Sequence, residues 1–369
     1  MTYQNELLSS GCLRFNRIPV ISHSLRGVPY QRWMATGMPI IAPEMLSSVF
    51  YLYRTIDDAK SGRDSGGTGF FASVPSNLAG DTLGHHYGIT NWHVARKQGF
   101  SVIRLNTITG EPDYLDFDPG DWECDPKKDD IAIIPLSIRD PSQKAFFISA
   151  PHVFIKEEAV IFEKWGPGDD VFMIGRFMDN VEDKNSNIPF TRFGNISSQL
   201  VKVKQPTGYK DGKCFCIDMH SRTGFSGSPV FAYRTPGNDL RWMVYPNHKV
   251  EMGRASCALL GIHCAQWPEE LIIKDGNKML TVEGWSGMTV VVPAWRILEM
   301  LDQPKFVKQR EAEEKRREKE MGKSISPKEE VAEDDLSGDE ILRRAMGGRH
   351  TLTPKAKPAR RGRGGVSSK

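Results

Sequence analysis

Short stretches of apolar, β-branched and aromatic residues recur along the chain between about residues 45 and 303. They fall at Val49–Tyr53, Gly69–Val74, Tyr87–Thr90, Phe100–Leu105, Ile131–Pro135, Asp170–Gly175, Cys214–Met219, Pro229–Ala232, Arg241–Tyr245, Ala258–His263 and Met288–Val292. Gly, Pro, Asn and Asp bound them, and no internal repeat is evident. Such a pattern predicts an antiparallel all-β architecture, a sandwich or a barrel. One helix closes it: Pro293 suits a first helical position, and Ala294, Ile297, Leu298 and Leu301 form one apolar stripe. Beyond about residue 303 the pattern is lost. Lys308–Met321 mixes charges with strong helix formers, which predicts a solvated helix held by i,i+4 pairs. In residues 1–40, Pro19, Pro29 and Pro39 interrupt any long element.

Composition narrows the class. Of 369 residues, 39% are hydrophobic and 26% charged, enough for a sizeable core in a water-soluble chain. The longest apolar runs, Ile131–Leu136 and Met288–Pro293, fall far short of the ~18 residues of a membrane span. Met1–Arg14 shows no basic segment followed by an apolar block, so conventional secretion is not expected. Six cysteines are few for this length, which fits a reducing, cytoplasmic setting. Cys214 and Cys216 share one face of a strand, but no further Cys/His pair completes a zinc-like spacing, and no metal is expected.

Charge is unevenly spread. From Arg343 to the end there are nine Lys or Arg and no acid, leaving 40 basic against 46 acidic residues in 1–342. Asp334–Glu340 forms an acidic patch ahead of this basic tail. The tail, 343–369, cannot bury apolar area and is expected to be disordered; its charge suits weak contact with nucleic acid or another anionic surface.

Three motifs carry candidate chemistry. Ile89-Thr90-Asn91-Trp92-His93-Val94 is a β-like run ending on a histidine. Asp129-Asp130-Ile131-Ala132-Ile133-Ile134 places acid at the head of a strand. Gly224-Phe225-Ser226-Gly227-Ser228-Pro229-Val230 is a glycine-flanked serine before another strand. Each alone is weak; together they match one mechanism. A serine hydroxyl needs an adjacent imidazole to take its proton, and the imidazole needs a buried carboxylate to fix its tautomer. The oxyanion needs backbone N–H donors, which a glycine-rich turn presents without Cβ obstruction. The order His, Asp, Ser is that of the chymotrypsin arrangement.

Adding Gly67-Thr68-Gly69-Phe70 and Gly261-Ile262-His263, the chain resembles the trypsin-like serine peptidases of the chymotrypsin fold, in their disulfide-free bacterial form, over about 45–303. The resemblance implies two antiparallel β-barrels with the site between them. The organisation expected is an arm over 1–44, a first barrel over 45–140, a second barrel with its closing helix over 141–303, and a charged helix and disordered basic tail over 304–369. His93 is then the general base, Asp130 its orienter and Ser226 the nucleophile. The N–H groups of Gly224 and Ser226 form the oxyanion hole, with protein or peptide as substrate and no cofactor.

Strand alternation lets only one of Asp129 and Asp130 face His93. The family order of acid, aliphatic, Ala, aliphatic selects Asp130. Val94 stands where secreted animal members carry a disulfide cysteine, and Trp92 replaces the small residue usual before the histidine. His220 occupies the position, six before the serine, where trypsin itself has an aspartate, so basic residues are not expected to be preferred. His263 resembles the pocket histidine of glutamyl endopeptidases, and with Ser221 bonded to it suggests cleavage after Glu or Gln. The competing reading is a catalytically silent, protease-like binding module that acts through its charged helix and basic tail.

Overall fold

The computed structural model describes residues 41–78, 84–124, 129–138, 140–161, 165–177, 186–209, 212–234, 256–275 and 278–324. The arm up to residue 40, the expected strand at 241–245, the acidic patch at 334–340 and the basic tail lie outside the described residues. The chain divides into two compact units, Met1–Arg310 and Glu311–Lys369.

The first unit holds two β lobes. In the first lobe the strands are β1 (Val49–Tyr53), β2 (Gly67–Val74), β3 (His85–Thr90), β4 (Val102–Leu105), β5 (Asp113–Leu115), β6 (Glu123–Cys124), β7 (Ala132–Leu136) and β8 (Ile148–Ser149). They form a sheet in the order β5-β4-β1-β2-β3-β7-β6, with β8 joining β2 in parallel. The strands of the second lobe are β9 (Asp170–Gly175), β10 (Phe190–Lys202), β11 (Lys213–Asp218), β12 (Pro229–Arg234), β13 (Ser256–Asp275) and β14 (Lys278–Pro293). They form a closed barrel in the order β10-β11-β14-β13-β12-β9. The expected all-β architecture is present, with one difference. The first lobe is a curled half-barrel, not a closed one, and its edge strands β5 and β6 are only three and two residues long.

Period-two alternation explains how the lobes pack. In β7 and the residue before it, Ile131 and Ile133 face one way and Ala132 and Ile134 the other. The second set joins Phe50, Phe71, Ile103 and Trp122 inside the first lobe. The first set joins Phe70 and Ile89 in a core shared with Phe172, Phe231, Ile262 and Val290 of the barrel. The helix Ala294–Leu301 seals that shared core with Ala294, Ile297, Met300 and Leu301. Pro293 is not its first residue, as expected, but the extended residue before it (φ −62°, ψ 146°), because it still pairs with Gly261 at the end of β14.

Two elements exceed the sequence expectation. β10 runs thirteen residues, mostly half-buried. β13 and β14 continue past His263 and Met288 as a ribbon whose pairing reaches Asp275↔Lys278, with bulges at His263/Ala265 and Gln266/Pro268. After the closing helix, Phe306 is buried edge-on to Tyr87, ring centroids 5.8 Å apart, and Arg310 donates to the Leu301 carbonyl at 2.8 Å. Residues up to Arg310 therefore belong with the body. In the second unit the described residues, Glu311–Ser324, are helical, and Arg317 pairs with Glu313 at 2.6 Å. No helix of the described residues is long and apolar enough to cross a membrane.

Candidate active site

β3 ends at Thr90, and a wide turn, His93–Lys97, follows it. The turn is tied to the residue preceding β7's neighbour Ile131: Asn91 Nδ2 donates to the Asp130 carbonyl at 2.8 Å. The Asp130 carboxylate, fully buried, accepts the His93 backbone N–H on Oδ1 at 2.9 Å and meets His93 Nδ1 with Oδ2 at 2.6 Å. Two contacts from one carboxylate fix both the backbone and the ring of His93.

The adjacent acid turns the other way. Asp129 Oδ2 binds Arg296 Nε at 2.5 Å, and its Oδ1 accepts Gln205 Nε2 at 2.7 Å. The other end of the same amide, Gln205 Oε1, accepts the Asp130 backbone N–H at 2.7 Å. Burial opposes the Arg296 charge, but its hydrogen bond to Asp129 and the charges of Asp129 and Glu299 outweigh this and raise its pKa. Gln205 lies between β10 and β11 and Arg296 on the closing helix. The barrel thus grips both aspartates of the first lobe.

Ser226 sits in a turn where Gly224 (φ 98°) and Gly227 (φ 87°) adopt left-handed backbone that L side chains rarely tolerate. At Gly227 a Cβ would also come within 2.0 Å of the Thr68 carbonyl oxygen. Thr68 stitches the turn to the first lobe: its N–H donates to the Ser226 carbonyl at 2.9 Å and its hydroxyl to the Gly224 carbonyl at 2.7 Å. Ser228 N–H closes back on the Phe225 carbonyl, and Gly227 N–H donates to the His263 carbonyl. Among the described residues, neither the Gly224 nor the Ser226 N–H is used in a hydrogen bond.

A cleft of about 970 Å³ opens between the lobes, and His93, His220, Ser221, Gly224, Ser226 and His263 all line it, with Asp130 behind His93. His220 lies against Gly287, where a Cβ would approach its ring within 2.9 Å. His263 is buried, and burial, reinforced by the nearby His93, lowers its pKa to about 4. The Phe225 carbonyl is close enough to oppose this in part, yet neither ring nitrogen makes a hydrogen bond of good geometry. The bond expected from Ser221 to His263 is not formed; the Ser221 hydroxyl is itself buried without a protein partner. The position of His263 is set instead by β13, its N–H donating to the Ser228 carbonyl at 3.0 Å.

Sequence reasoning missed Gln205 and Arg296, for which no local motif exists. Thr68 stood inside Gly67-Thr68-Gly69-Phe70, but nothing local revealed its bonds across the lobes. Arg54 and Arg192, which also line the cleft, are single arginines beside apolar and aromatic residues and belong to no local motif.

The two-lobed β fold with its cleft between the lobes is of chymotrypsin type. By sequence the chain matches no protein-family model and no curated protein. Among solved structures it is similar to a variant of the HtrA-type protease AlgW with a tripeptide, at 14% identity and TM-score 0.39, over 70% of this chain and 62% of that one. It is similar also to Deg5, at 14% identity and TM-score 0.38, over 69% and 88% of the two chains. A third is Rv3671c from M. tuberculosis H37Rv in an inactive form, at 16% identity and TM-score 0.35, over 71% and 96%. The chain spans about three fifths of the length of the first of these. At such identities and TM-scores these likenesses carry no argument, and the roles of residues rest on the geometry above.

Proposed function

We propose that the chain is a serine endopeptidase in which His93, Asp130 and Ser226 form the triad. The observation that carries this is the 2.6 Å contact between His93 Nδ1 and the fully buried Asp130 carboxylate, opening onto the cleft that Ser226 lines. With Nδ1 committed to the carboxylate, Nε2 is the nitrogen left to take the serine proton. Ser226 Oγ attacks the peptide carbonyl, and the unused N–H groups of Gly224 and Ser226 receive the oxyanion. His93 then protonates the leaving amine and activates water for deacylation. No step calls for a cofactor.

Cleavage after Glu or Gln is part of the same reading. His263 and Ser221 line the cleft, and their three side-chain polar atoms are buried without a hydrogen bond of good geometry, an arrangement that costs free energy and that a polar substrate side chain entering there would relieve. His220 offers no negative charge for Lys or Arg. Reporter peptides with Glu, Gln, Lys or Phe before the scissile bond test both levels. Turnover lost in Ser226→Ala supports the peptidase, and preference for Glu and Gln supports the pocket. Folded wild type that cleaves none of them contradicts the activity, and equal rates contradict the pocket.

A reducing, cytoplasmic setting fits the five described cysteines, all of them free thiols. Contact of the tail 343–369 with nucleic acid or an anionic surface rests on its charge alone, and a log K against log salt plot of zero slope would remove it.

A further inference from the structure

Charge around the cleft runs against charge in the rest of the body. Residues 1–342 carry 40 basic and 46 acidic side chains, yet the described residues lining the cleft include Arg54, Arg192 and Arg222 and no Asp or Glu. Some arginines elsewhere in the first unit are neutralised: Arg234 is bidentate on Asp169 at 2.5 and 2.7 Å, and Arg296 pairs with Asp129 and Glu299. Arg54 and Arg192 are held differently. Arg54 Nε donates to the Gln98 carbonyl at 3.1 Å, with its guanidinium 4.3 Å from the Phe100 ring centre. The Arg192 guanidinium lies 5.5 Å from the Phe177 ring centre and 5.6 Å from that of Phe225, the residue before Ser226. Carbonyl and aromatic contacts position a guanidinium without cancelling its charge. One arginine stands on the first lobe's wall and the other on the barrel's, so both walls present positive charge.

We infer that the substrate segment seated across this cleft is acidic beyond the residue at which it is cut, with Arg54 and Arg192 reading its flanking carboxylates. The inference rests on the peptidase reading of the same cleft and goes past it. A cleft lined by one sign of charge between low-dielectric walls concentrates ligands of the opposite sign, and a guanidinium fork can bind a carboxylate in two places.

The test uses the full chain and peptides identical at the cleavage residue, flanked by Asp and Glu, by their amides Asn and Gln, or by Lys. The expected kcat/KM for the acidic peptide exceeds that for its amide counterpart by about 10-fold at low salt, a gap that shrinks as ionic strength rises. Arg54→Gln and Arg192→Gln each lower that ratio several-fold, whereas Arg192→Lys, which keeps the charge, preserves most of it. Should a glutamine variant fail to melt cooperatively, the salt dependence of the wild-type ratio decides alone. Cleavage of all three peptides at similar rates overturns the inference and leaves the peptidase standing. Absence of any cleavage, with no Ser226-dependent labelling by a fluorophosphonate, overturns both. Equal peptide rates together with inhibition by polyphosphate would assign the charge to a different anion and equally overturn it.

Discussion

At His263, burial holds the imidazole near pKa 4, while the unfolded chain titrates near the ordinary value of 6.5. Between these values the unfolded state binds a proton that the folded state refuses, so stability falls as pH falls. From pH 7 to pH 5 the loss attributable to His263 is about 2 kcal/mol, read from urea unfolding at the two pH values. His263→Gln removes that share of the slope; an unchanged slope would mean the ring is not held neutral by burial. Asp130 acts at the same scale. Asp130→Asn keeps the shape but cannot hold the His93 tautomer, and kcat is expected to fall on the order of 10³–10⁴-fold. The corresponding change at its neighbour, Asp129→Asn, faces Arg296 and Gln205, and is expected to act on stability more than on kcat.

Among elements, the Ser226 turn and the aspartate pair are each held by the opposite lobe. Thr68→Val is nearly isosteric but loses the hydroxyl that donates to the Gly224 carbonyl and accepts the Arg176 N–H at 3.0 Å. A cost of about 1–3 kcal/mol in urea unfolding is expected, with slower labelling of Ser226. Gln205→Leu strips the partner from the buried Asp130 N–H and from Asp129, at a comparable cost. Wild-type stability in the Thr68 variant would show that its bonds do not hold the turn, and in the Gln205 variant that its bonds do not hold the aspartate pair. The triad candidates were legible in sequence because each sits in a short local motif and the three come in a recognisable order. The clamps were not, since Gln205 lies 75 positions from Asp130 and its amide has no local signature. β10 escaped for a related reason: its alternation is between half-buried and exposed positions, with only Ile196 fully buried. The β13–β14 ribbon was hidden because Pro268 and Glu269-Glu270 break the apolar pattern beyond His263; the structure accommodates the proline beside a bulge.

For the whole molecule, the lobes share one apolar core that draws on β2, β3 and β7 of the first and on β9, β12, β13 and β14 of the second. Neither lobe can expose that face alone without losing hydrophobic burial on both sides. A single cooperative unfolding transition is expected, with Ile133→Ala in the first lobe and Val290→Ala in the second shifting the same midpoint. Two resolved transitions, each moved by one variant only, would show independent lobes. This coupling also fixes the site, because His93 and Asp130 come from one lobe and Ser226 from the other.

The central claim is that these three side chains form a working nucleophile. Its most direct measurement is labelling of the folded full-length chain with a fluorophosphonate probe, followed by mass spectrometric mapping. The expected result is one adduct per chain, on Ser226, absent in Ser226→Ala and nearly absent in His93→Ala. A folded wild type that stays unlabelled, or an adduct that persists in Ser226→Ala, would contradict it.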